Sequence, residues 1–210
     1  MESGNRHLRY RAWDSASLLG DTDSKRRCIQ IKSDESDLKL PSNHHVNEGF
    51  AADHDGKYPT GKTANEAFRE LIRADIIQDE RIFGCPFSRY IPDNNVGLAP
   101  VYDKAVGPGE NHWMLVDGLK DDSPPLTPVV FENALEASWP LFWDGSPYDK
   151  VRKRGQTWKK GKIIIGLNDN SVSVEKLGGE DMRRQTIQPG SDGKSIFDWV
   201  PTAVILDIEE

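Results

Sequence analysis

The sequence predicts an α+β chain: a helix packed on an antiparallel sheet, with long irregular loops and a poorly structured stretch over residues 1–45. Three observations carry that expectation. An amphipathic stretch with a capping signal begins at Thr63. β-branched runs flank an Asn-Asp-Asn-Ser turn at 168–171. A Pro- and Gly-rich stretch over residues 86–110 separates the two and reads as loop.

Residues 1–45 are mostly polar, and their apolar positions hold no sustained period. Ser33 to Asp37 is an acidic patch, and Pro41 breaks a helix attempted there. From Val46 to Asp53 the chain reads as the last turns of a helix. Asp55-Gly56 then supplies a turn, and Tyr58-Pro59 an extended step. Thr63-Ala64-Asn65-Glu66 has capping-box spacing. In that motif the Thr63 hydroxyl accepts the Glu66 N–H, and the Glu66 carboxylate reaches back to the Thr63 N–H. Behind the cap, Ala67, Phe68, Leu71, Ile72 and Ala74 share one face, which predicts a helix from about Ala64 to Asp75.

Short apolar runs at 112–116 and 128–132 predict strands. Between them, 121–125 is a loop. Trp139 to Gly145 is an aromatic-rich corner, read chiefly as packed loop aromatics. Residues 162–177 predict a β-hairpin. Its first strand is apolar on both faces and therefore central, and its second alternates and is half-buried. Val204-Ile205-Leu206 is strand-like and reads either as an edge strand or as a tail ordered by contact. The expected organisation is a polar tail over 1–45, a head over 46–177 and a C-terminal extension over 178–210.

Composition narrows the function classes. The chain is 36% hydrophobic and 29% charged, with a formal net charge of −7. That sign disfavours non-specific binding to nucleic acid or acidic lipid. Basic runs occur at 25–27 and 152–162, the second around Trp158. They can hold an anion in principle but read better as solvated loops. No apolar run approaches the ~20 residues of a membrane helix, and the first residues carry no signal-peptide pattern. Cys28 and Cys85 either close a long loop as a disulfide in an oxidising compartment or remain two thiols; neither belongs to a C-x-x-C.

The chemical motifs are sparse. His44, His45 and Glu48 are the metal candidates, but Pro41 and Gly49 interrupt the helix that would align them. Asp53-His54-Asp55 fails as a calcium loop, because positions 1 and 12 would be Ala51 and Lys62, so it reads as an acidic turn. Cys85 with His112 can be drawn as nucleophile and base, although the apolar Ile82-Phe83-Gly84 setting suits a buried or bonded cysteine. Asn111-His112-Trp113 reads as a satisfied core histidine leading a strand. No phosphate-binding loop, nucleophile elbow or zinc-protease motif appears. The expectation is therefore a non-catalytic chain without a resident cofactor. Two alternatives stand beside it. One is a secreted hydrolase using paired acids, with Asp53, Asp55 and Asp144 as candidates. The other is a glycan- or peptide-binding module using Trp139, Trp143 and Trp158.

The stretch Phe50-Ala51-Ala52-Asp53-His54-Asp55-Gly56-Lys57-Tyr58-Pro59-Thr60 resembles the helix end and following turn of type IV pilin-like proteins, the pseudopilins of type II secretion systems. Asn65 to Leu71, Phe83 to Pro86, Gly109 to Trp113 and the hairpin at 168–172 resemble the soluble head of one subgroup, in the same order. The resemblance covers about residues 46–177. It implies a helical stem followed by an antiparallel sheet, and a structural or interaction role in the cell envelope. The implied partners are other pilin-like subunits or secreted cargo. It admits calcium in the loops, but no matching ligand set is evident. It implies membrane contact only through an apolar N-terminal helix, which residues 1–45 do not supply. With such a helix the location would be the periplasm, the cell surface or the medium.

Overall fold

The computed structural model describes residues 49–85, 88–147, 153–157, 161–200 and 203–210. Residues 49–53 are helical (α1) and lead into a turn where Asp55 and Gly56 both have positive φ, at 53° and 74°. Helix α2 (Ala64–Arg73) follows. Six strands come next: β1 (Trp113–Val116), β2 (Pro128–Glu132), β3 (Lys162–Leu167), β4 (Val172–Gly178), β5 (Thr186–Ile187) and β6 (Ile205–Leu206). They form one antiparallel sheet in the order β5-β4-β3-β2-β1-β6. Antiparallel sheet thus dominates the described residues. β5 and β6 both come from the segment expected as an extension, and they form the two edges of this sheet.

The central strands β1, β2 and β3 are buried on both faces, whereas β4 is largely half-buried, and alternation sorts the buried side chains into two cores. Trp113, Leu115, Val130 and Ile164 point to one face. There they share a cluster with Phe68, Leu71 and Ile72 of α2. Met114, Val116, Phe131, Ile163 and Ile165 point to the other. There they meet Leu141, Trp143 and Phe197. Each fully buried Leu, Ile or Phe contributes roughly 1.5–3 kcal/mol relative to exposure, so the apolar β3 run Ile163-Ile164-Ile165 anchors both cores at once. The register of β2 against β3 shifts between Pro128 and Val130. A proline has no N–H to give the ladder, and it sits here at the strand start beside the irregularity. At the β3–β4 turn Asn170 adopts φ 64°, a left-handed conformation that asparagine tolerates.

The cap of α2 differs from the expected box in one detail. The Thr63 hydroxyl does accept the Glu66 N–H at 3.1 Å. The Glu66 carboxylate, however, accepts the N–H of Lys62 at 2.7 Å, one residue earlier than Thr63. The other end of the chain also meets this cap. Thr63 donates its hydroxyl to Glu209 at 2.6 Å, and the C-terminal strand lies against the helix start, with Ala64 N–H on the Asp207 carbonyl at 2.7 Å.

Candidate functional site

The residues most able to do chemistry lie in the loop that separates α2 from β1. A short 3-10 turn, Glu80–Phe83, is capped by Asp79, whose carboxylate accepts the Arg81 N–H at 3.0 Å and pairs with the Arg81 guanidinium. The turn directs Glu80 inward, where it is fully buried. Its two oxygens accept the N–H groups of Asn95 and Val106, each at 3.0 Å. Glu110 comes from the far end of the same loop and accepts from Gly107 at 2.5 Å and from Asp93 at 3.3 Å. Asp93 in turn accepts the Asn95 N–H at 2.7 Å. One oxygen from each of Glu80, Asp93 and Glu110 lies within 4.8 Å of the others.

Three carboxylates this close oppose each other's ionisation. Burial raises the pKa of Glu80, and the neighbouring Asp93 adds to the rise. Burial likewise raises Glu110, with further contributions from the charges of Glu80 and Asp93. Such a set can share a proton, or it can hold a hard cation through oxygen ligands. Two oxygens on opposite sides of a calcium ion stand about 4.8 Å apart, and the three carboxylate oxygens lie within that reach of one another. The donors are all carboxylates, which suits calcium or magnesium better than a softer metal.

The sign of the pH effect follows. Carboxyls with raised folded-state pKa values favour the fold when protonated. Their contribution is fully present below the ordinary carboxylate value of about 4.3 and is lost as pH rises through their raised values. In metal-free protein we expect the melting temperature to fall across that window. Asp93→Asn, which removes one of the three charges, should flatten the slope. Calorimetry of both proteins from pH 4 to 7 in the presence of a chelator measures this. Added calcium should raise the wild-type melting temperature and not that of Asp93→Asn if the cluster takes a cation.

A second buried polar cluster surrounds His112. The ring is 2% exposed, with Glu132 1% and Cys85 5% exposed beside it. Nδ1 lies 2.9 Å from the Ser88 hydroxyl and 2.9 Å from the Asn133 amide nitrogen. The Asn133 amide is oriented by the Gly155 N–H, which donates to its oxygen at 2.7 Å. Nε2 faces the Glu132 carboxylate at 3.8 Å. Burial opposes charge on the ring. Cys85 and Glu132 outweigh it and lift the His112 pKa to about 9. The structure therefore does bring Cys85 and His112 together, as the nucleophile-and-base drawing requires. It seals them from solvent, however, and the Glu132 carboxylate also accepts the Ile164 N–H at 3.0 Å. This cluster ties β1, β2 and the segment after the 3-10 turn together.

A histidine raised in the fold contributes stability that is fully present below its ordinary pKa of about 6.5 and is lost as pH rises through about 9. The stability gap between wild type and His112→Gln should therefore narrow over that window. Urea titrations at pH 6, 7.5 and 9 measure it.

The remaining predicted site residues are scattered. Asp53 ends α1 and Asp55 lies in the turn after it, both exposed, and between them His54 stacks on Phe50 and bonds its carbonyl at 2.8 Å. Asp144 sits in an isolated bridge to Gln156 and accepts the N–H and hydroxyl of Ser146 at 2.9 and 2.5 Å. Among the described residues the converging acids are Glu80, Asp93 and Glu110, and not the three named from sequence. Trp143 is fully buried, with its indole N–H on the Glu132 carbonyl at 3.0 Å. Trp139 is half-buried and donates to the Ala203 carbonyl at 2.8 Å. The aromatic corner is thus largely core, although Trp139, Pro140 and Phe197 border a cleft of about 340 Å3 whose rim includes Thr186, Ser195 and Asp198. Cys85 is a free, buried thiol. Cys28, His44, His45, Glu48 and Trp158 lie outside the described residues. No helix among the described residues is long and apolar enough to cross a membrane.

The acidic cluster escaped the sequence because nothing periodic links its members. Glu80 in Glu-Arg-Ile-Phe looks like a surface charge. The usable signal was the loop's own composition: a long stretch rich in glycine and proline must satisfy its backbone N–H groups somewhere, and buried carboxylates do that. No family model, no curated protein and no solved structure matches this chain.

Proposed function

We propose that the chain is a non-catalytic, pilin-like subunit of a filament or type II secretion apparatus in the cell envelope. Its folded part would be the head that meets neighbouring subunits or secreted cargo. The observation that carries this reading is the order of elements along the chain. A short helical stretch at residues 49–53 is followed by a tight turn with positive φ at Asp55 and Gly56, then by a capped helix whose apolar residues share a cluster with the sheet, then by a late hairpin. The disposition of the polar groups also favours it. The buried carboxylates Glu80 and Glu132 accept backbone N–H groups that hold loops and strands together, and Nδ1 of the buried His112 bonds the Ser88 hydroxyl.

Electron microscopy of the native cells with an antibody against the head tests the proposal. Gold label on envelope-anchored fibres or clustered at secretion sites is the expected result. Label confined to the cell interior would overturn it.

A second reading rests on the cleft beside Trp139. Its aromatic wall and hydroxyl- and carboxylate-bearing rim suit a sugar or a short peptide. A glycan and peptide panel read by tryptophan fluorescence tests it. Unchanged emission with every ligand at millimolar concentration would remove it.

A further inference from the structure

We draw no further inference here: the strongest candidate, the cluster of Glu80, Asp93 and Glu110 in the loop between α2 and β1, belongs to the site already described, and nothing beyond its own carboxylates and their backbone hydrogen bonds points to a ligand.

Discussion

Replacing Asn65 by leucine is expected to destabilise the protein by about 4 kcal/mol, which is among the larger effects a single substitution produces. Asn65 is fully buried on α2. Its amide nitrogen donates to the carbonyls of Val106 and Gly107, each at 3.0 Å. Its oxygen accepts from the Asn111 amide at 3.0 Å and from the Glu209 N–H at 3.1 Å. One side chain therefore joins the helix to the long loop, to the start of β1 and to the C-terminal tail. Leucine fills nearly the same volume but leaves those partners buried and unpaired, at roughly 1–3 kcal/mol for each group that water cannot reach. A chain of this size loses about 2–4 °C of melting temperature per kcal/mol, so a drop of about 10 °C is expected by calorimetry. Arg73→Ala supplies the contrast. Its ion pair with Glu70 is about 40% exposed on both sides, and exposed pairs contribute ~0–1 kcal/mol.

The neighbouring Arg69 belongs to the same junction. It donates to the carbonyls of Ala105 and Val106 at 2.8 and 3.0 Å and pairs with Glu209 at 2.6 Å. Burial opposes a charge on Glu209, but Arg69 and Thr63 outweigh it and hold that carboxyl below the usual carboxylate range. The last residues of the chain are thus part of the helix cap and of the loop anchor.

Trp143→Ala is expected to destabilise by about 3–5 kcal/mol, the range for removing a buried large aromatic. The side chain is fully buried, lies edge-on to Phe131 with centroids 6.2 Å apart, and stacks near Phe197 at 6.2 Å. Trp143→Phe keeps most of the apolar volume and loses the bond to the Glu132 carbonyl, so it should cost only about 1–2 kcal/mol. Urea unfolding of the two variants separates the packing and hydrogen-bond contributions. It also separates a core residue from a binding residue. A Trp143 that served as a ligand platform would change affinity with little change in stability, and full burial predicts the reverse.

Much of the architecture was legible because its signals are local. Thr63 and Glu66 announce a helix start, and Phe68, Leu71 and Ile72 show which face it buries. The run Ile163-Ile164-Ile165, apolar on both faces, could only be a central strand, and β3 has neighbours on both sides. Two features were not legible. β5 is two residues long, too short for alternation to register. The bond from the Thr63 hydroxyl to Glu209 joins positions 146 residues apart, which no local pattern encodes. The candidate site was the least legible part. Glu80, Asp93 and Glu110 are brought together by an irregular loop whose path is set by backbone hydrogen bonds, and no spacing rule encodes that. His112, by contrast, was readable as a core histidine from the apolar strand it leads.

The central claim is that the folded part works by contact with other protein subunits. Photo-cross-linking in intact envelopes tests it most directly. Leu98, Leu126 and Met182 are 84%, 58% and 51% exposed, and a photoreactive residue at each would sample different loops without disturbing the core. The account predicts adducts from at least one position, either a ladder of this chain or conjugates with pilin-like neighbours identified by mass spectrometry. Absence of any protein adduct from all three positions in native envelopes would contradict it.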